Sequence, residues 1–144
     1  MNTSNNILKE QLSIKSRTEK LSEVREFTER FARHVGFSDD IINKIILAVD
    51  EACTNIIKHA YKNSPDGDIL ISFTFEKNKL SISILDNGNH FEPYKIPEPD
   101  IKEFYKQKKS GGLGMYLMKK LMDEVIYSTS SGNFNQVTLV KYLS

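Results

Sequence analysis

Glu51 and Asn55 stand four residues apart in a stretch that reads as helix, so they share one face about one turn from each other. An amide oxygen is a hard ligand suited to Mg²⁺, which keeps several waters and takes its remaining ligands from substrate phosphates. A carboxylate one turn away can orient a hydroxyl or water toward a terminal phosphate and accept its proton. Taken alone, a Glu/Asn pair at this spacing is far more often an ordinary solvated helix face. Lys58 on that face reads best as solvated.

Asp86-Asn87-Gly88 closes an apolar run. A carboxylate at a strand end can accept a hydrogen bond from an exocyclic amino group such as that of adenine, and Gly88 lets a base or sugar approach the backbone. The plain alternative is an Asp-Asn-Gly turn. Gly111, Gly112 and Gly114, with Leu113 among them, come right before a helical pattern. Backbone amides at a helix start attract phosphate, and glycine removes the side chains that would block it. The spacing is neither a Walker loop nor a dinucleotide fingerprint, the absence of a following Lys-Ser/Thr pair argues further against a Walker loop, and a hinge before a helix is the alternative.

Positioning these groups requires a scaffold, and the hydrophobic periodicity supplies one. Ile7 to Lys15 alternates loosely and reads as an edge strand. Leu21, Val24, Phe27, Phe31 and Val35 form one helical stripe over Glu19 to Val35, ended by Gly36. Ser38 or Asp39 can cap a second helix running to about Tyr61, with Ile42, Ile45, Ile46, Val49, Cys53 and Ile56 on its core face. At about 100° per residue, Glu51, Asn55 and Lys58 fall on the opposite side, aimed away from the main core.

Ser64-Pro65-Asp66-Gly67 signals a turn. Strands Asp68 to Phe75 and Leu80 to Leu85 follow, linked by Glu76 to Lys79 as a short hairpin loop. Asn87 to Ser110 has no clear periodicity, and so long a stretch inside a compact domain is more often functional than idle. A helix from about Leu113 to Met122, a strand Val125 to Thr129, a turn at Gly132-Asn133 and a last strand Gln136 to Tyr142 complete the pattern. The expectation is one α+β domain over 1–144: a two-layer sandwich of a mixed, mostly antiparallel sheet with helices on one face.

Composition narrows the partners. The 144 residues carry a net charge of +1, which gives no global case for a nucleic-acid or anionic-membrane binder. No apolar stretch approaches the roughly 20 residues needed to span a bilayer, and Met1 to Asn6 lacks a signal-peptide core. The single cysteine, Cys53, lies on the apolar face and reads as buried and inert; a cytoplasmic setting is the simplest reading. His34, His59 and His90 are scattered, and no Ser-His-Asp or metal-ligand cluster stands out.

The ordered set Glu51-x-x-x-Asn55, Asp86-x-Gly88 and Gly112-x-Gly114 resembles the ATP-binding (GHKL, or Bergerat) fold shared by gyrase, a class of heat-shock chaperones, histidine kinases and MutL. The fuller strings Val49-Asp50-Glu51-Ala52-Cys53-Thr54-Asn55-Ile56-Ile57-Lys58-His59-Ala60-Tyr61, Gly111-Gly112-Leu113-Gly114-Met115-Tyr116-Leu117-Met118 and Leu121-Met122-Asp123-Glu124-Val125 resemble the anti-sigma-factor serine-protein kinases of the RsbW and SpoIIAB type. That resemblance covers nearly the whole chain.

It implies a protein that binds ATP and Mg²⁺ beneath a lid at about 87–110. It implies phosphorylation of a serine on an anti-anti-sigma factor, sequestration of a sigma factor, and a homodimer. Glu51 would be the base and Asn55 the metal ligand. Asp86 would read adenine beside Gly88, while Lys109 and Gly111 to Gly114 would meet the phosphates. Two departures stand out: Lys109-Ser110 replaces an arginine the family often has, losing its fork geometry, and Phe134-Asn135-Gln136 stands where many relatives have Gly-Thr, with the Asn135 amide as a substitute adenine contact. A nucleotide-dependent binding module without phosphoryl transfer is the second reading. A histidine-kinase catalytic domain is a third, and the context of His34 does not resemble an acceptor box.

Overall fold

The computed structural model describes residues 6–88, 110–130 and 134–144. Strand β1 (Leu8–Lys15) leads through a short turn of 3-10 helix to α1 (Leu21–Val35) and α2 (Asp39–Asn55). Then come strands β2 (Asp68–Glu76) and β3 (Lys79–Asp86), helix α3 (Ser110–Leu121), and strands β4 (Glu124–Ser130) and β5 (Phe134–Tyr142). The described strands form one five-stranded sheet in the order β1-β2-β3-β5-β4, every neighbouring pair antiparallel. The α+β expectation holds.

Local chemistry sets the boundaries. Gly36 takes a left-handed φ of 113°, and Phe37 N–H donates to the Ala32 carbonyl at 3.1 Å, closing α1 in the way glycine permits. Ser38 caps α2 by accepting from Ile41 N–H at 3.5 Å. The β2–β3 hairpin is tighter than the sequence suggests. Lys77 and Asn78 alone make the turn, with φ of 53° and 62°, because a two-residue connection needs positive φ to match strand twist.

Alternate residues of each central strand face the helices. Ile69, Ile71 and Phe73 on β2, Leu80, Ile82 and Ile84 on β3, and Val137 and Leu139 on β5 are buried against Val24, Phe31, Ile42, Ile45, Val49 and Cys53 in one continuous core. Phe27 and Phe31 of α1 bracket Phe73 with ring centroids 5.0 and 5.5 Å away. Helix α2 packs between α1 and α3.

Two differences from the expected helices bear on the site. The second helix does not continue uniformly to Tyr61. After Asn55 it widens into a π-helical turn over Ile56–Ala60, in which Tyr61 N–H reaches back five residues to the Ile56 carbonyl at 3.0 Å. The third helix starts at Ser110, so Gly111, Gly112 and Gly114 lie within its first turns rather than ahead of it.

Candidate nucleotide site

Period two along β3 decides where Asp86 goes. Leu80, Ile82, Ile84 and Asp86 occupy alternate positions, so the carboxylate continues the buried apolar row at the strand's end and is only 3% exposed. Register then chooses its neighbour. Asp86 stands opposite Asn135 on β5, and the Asn135 Nδ2 donates to Asp86 Oδ1 at 3.0 Å and to the Gly88 carbonyl at 3.2 Å. Gly88 N–H donates to the same Oδ1 at 3.0 Å.

One carboxylate oxygen is therefore held twice, while Oδ2 has no hydrogen-bond partner among the described residues. No described buried side-chain oxygen or nitrogen lacks a partner, so Oδ2 is not sealed from solvent. An acceptor of this kind, fixed and open on one side, suits an exocyclic amino donor. Burial pushes the Asp86 carboxyl above its ordinary range, and the bonds from Asn135 and Gly88 pull it partly back.

Gly88 faces the end of the α2 segment. A Cβ there would sit 2.7 Å from the Ala60 carbonyl oxygen, so only glycine lets the two backbones come this close. The Asp86–Gly88 corner is thereby set against the π-helical turn that follows Asn55.

Asn55 is 4% exposed, not turned away from the protein as the helical arc predicts. The arc was drawn for a helix lying on a sheet alone, and here α2 also carries neighbours on both flanks. Glu51, one turn earlier, is half-buried, and Lys58 is exposed. Glu51 makes no hydrogen bond or ion pair with the described residues. Burial and then the neighbouring Asp50 carboxylate raise its pKa, and Lys58 opposes them. Asp50 itself is engaged by Arg25 of α1, whose Nε donates at 2.9 Å.

Among the described residues no group of three or more His, Cys, Asp or Glu could hold a metal ion. A divalent ion at Asn55 would therefore take most of its ligands from phosphate and water, which is how Mg²⁺ is commonly held. Lys109 and all of the expected lid except Asn87, Gly88 and Ser110 lie outside the described residues, as does the expected Gly132-Asn133 turn. No described helix is long and apolar enough to cross a membrane. Cys53 is fully buried with its thiol pushed up to about 12, matching the inert reading.

Sequence reasoning missed the π-helical turn and Tyr61. The Tyr61 hydroxyl lies 2.6 Å from the Asp68 carbonyl and 2.7 Å from Asn87 Oδ1, and accepts from Asn87 N–H at 3.1 Å. Gly67 packs against the Tyr61 ring and Gly88 against Ala60, so these two glycines are the sequence feature tied to this packing.

Residues 14–141 match the family model described as the histidine kinase-like ATPase domain. The chain is 32% identical over 139 residues to the serine-protein kinase RsbW of Bacillus subtilis, covering 93% of this chain and 85% of that protein. It is 37% identical over 122 residues to the RsbW of Bacillus licheniformis, covering 78% of this chain and 72% of that one.

Among solved structures, the RsbU and RsbW domains of a Mycobacterium tuberculosis protein share the fold with a TM-score of 0.66 at 16% identity, covering 94% of this chain and 32% of that longer chain. The SiaB–SiaC complex of Pseudomonas aeruginosa gives a TM-score of 0.61 at 12% identity, covering 90% of this chain and 88% of that one. With the family model matched over most of the chain and RsbW kinases at 32–37% identity, the chain belongs to the histidine kinase-like ATPase family as a serine-protein kinase of the RsbW type.

Proposed function

We propose that this kinase transfers the γ-phosphoryl group of ATP to a serine of an anti-anti-sigma protein, and that it also sequesters a sigma factor. The observation that carries the nucleotide half is Asp86, with one oxygen fixed by Asn135 and Gly88 and the other without a hydrogen-bond partner among the described residues. The reading of the partners rests on family membership.

In this reading Asp86 orients adenine through its exocyclic amino group, and Gly88, packed on the Ala60 backbone, fixes the corner beside it. The amide groups at the glycine-bearing start of α3 receive the phosphates. Asn55 offers its amide oxygen to Mg²⁺, which when bound spreads the charge developing on the transferring phosphoryl group. Glu51 accepts the proton of the attacking serine hydroxyl. The serine Oγ–P bond forms as the bond between the β-phosphate oxygen and the γ-phosphorus breaks, and ADP leaves. Burial suits Glu51 to this task, because a carboxylate raised toward neutrality is a stronger base. The kinase acts in the cytoplasm, as a homodimer in keeping with its family.

Incubating the protein with γ-labelled ATP, Mg²⁺ and a purified serine-bearing anti-anti-sigma protein tests the reading. Label should enter the partner and be lost when its acceptor serine is changed to alanine. Tight nucleotide binding with no label in the partner would replace the kinase with a nucleotide-dependent binding module.

A further inference from the structure

We propose that Tyr61 is a positioning residue of the nucleotide site, a buckle that sets the adenine-reading corner against the end of the helix carrying Glu51 and Asn55. This inference rests on Asp86 being the adenine-reading group. Tyr61 stands at the junction. It is the first residue after the π-helical turn, and its N–H closes that turn on Ile56. The ring packs against the core, in the space that the missing side chain of Gly67 leaves open: a Cβ there would sit 2.5 Å from Tyr61 Cε1.

Gly67 is itself held by Ser16, whose N–H donates to the Gly67 carbonyl at 2.9 Å and whose Oγ accepts from Gly67 N–H at 2.9 Å. The ring is thus braced from the far side. Its hydroxyl shares one proton between the Asp68 carbonyl at 2.6 Å and Asn87 Oδ1 at 2.7 Å, and accepts Asn87 N–H at 3.1 Å. Asp68 opens β2 and Asn87 follows β3, so the hydroxyl spans two strand ends.

Asn87 lies between Asp86 and Gly88, the two residues that define the corner. Gly88 N–H makes one of the two bonds fixing Asp86 Oδ1, and Gly88 abuts Ala60, the residue before Tyr61. Asn135 holds the corner from the β5 side. Tyr61 holds it from the α2 side. Without the hydroxyl, Asn87 loses its anchor, Gly88 N–H is free to turn, and Oδ2 no longer faces a fixed direction.

Titration calorimetry with ATP and with inosine triphosphate, on wild type and Tyr61→Phe, separates this role from a merely structural one. Inosine carries a carbonyl where adenine carries its amino group, so Asp86 makes the wild type prefer ATP. With one hydroxyl anchor removed, ATP affinity should fall about fivefold while inosine triphosphate affinity stays put, narrowing the preference by the same factor. A loss of folded protein would scale both nucleotides equally.

Amide exchange at Asn87, measured without nucleotide, should also accelerate in Tyr61→Phe. An unchanged preference, a proportional loss of both nucleotides, or an unchanged Asn87 amide would overturn the proposal. A wild type that shows no preference for ATP would sink the reading of Asp86 and the nucleotide role of Tyr61 together. A wild type that prefers ATP with a Tyr61→Phe variant that matches it would sink the buckle alone.

Discussion

The two acidic ends of the site are built to opposite specifications. Asp86 is buried, tied through one oxygen to Asn135 and Gly88, and seated in a corner that glycine lets close against Ala60. Glu51 is half-buried and has neither a hydrogen bond nor an ion pair with the described residues. Both carboxyls are raised chiefly by burial, but two hydrogen bonds temper Asp86, while the charge of Lys58 alone tempers Glu51. Preorganisation belongs where a ligand must be recognised. A base must meet its proton only when the acceptor serine arrives. The difference fits the proposed division, with recognition at the strand end and chemistry on the helix.

Breaking the chemical end should give the largest effect. Glu51→Gln keeps shape and removes the base, so serine phosphorylation should fall by about 10²- to 10⁴-fold in a single-turnover assay. ATP affinity in the same preparation should stay within about twofold, since nothing that fixes Asp86 is touched.

Closing the recognition corner comes next. Gly88→Ala pushes a Cβ to within 2.7 Å of the Ala60 carbonyl oxygen, a backbone atom that cannot rotate away. Overpacking of this kind costs about 1–3 kcal/mol, visible as a lower denaturant midpoint, and ATP affinity should drop with it. Asn135→Ala removes two hydrogen bonds from the corner and should cost about 1 kcal/mol in stability, with ATP affinity several-fold weaker. It should also let the Asp86 carboxyl rise further, because the Asn135 bond is the larger of the two forces holding it down.

The smallest effect sharpens the contrast through pH. Asp86 is raised in the folded state, so the folded protein binds that proton more tightly than the unfolded chain. Its contribution to stability is greatest in acid and is lost as pH climbs through the raised value. The stability difference between wild type and Asp86→Asn should therefore shift against the wild type over that interval. ATP affinity should rise over the same interval, because only the ionised carboxylate accepts fully from an amino donor. At the other end, the transfer rate should fall in acid with a midpoint above the ordinary carboxylate range, as the raised Glu51 demands.

Much of this scaffold is legible in the sequence alone. The stripe from Leu21 to Val35, the Gly36 stop, the β2–β3 hairpin and the edge strand β1 all follow from local period and turn chemistry. What escaped was tertiary. The π-helical turn leaves no mark in composition, since Ile56, Ile57 and Ala60 are buried and read as continued helix. Asn55 is buried by helix packing that a helical arc cannot contain. The last strand is expected only from Gln136, yet Phe134 and Asn135 extend β5, and the register across from Asp86 brings the Asn135 amide, expected beside adenine, onto Asp86 and Gly88. The Tyr61–Asn87 contact joins residues 26 apart that no motif connects.

The most direct measurement is a calorimetric titration of the wild type and Asp86→Asn with ATP, with and without Mg²⁺. The account predicts wild-type binding that Mg²⁺ strengthens, and a loss of about 10- to 100-fold in the variant, the cost of a charged hydrogen bond. A wild type that does not bind ATP, or a variant that binds it equally well, would contradict the assignment of recognition to the strand end.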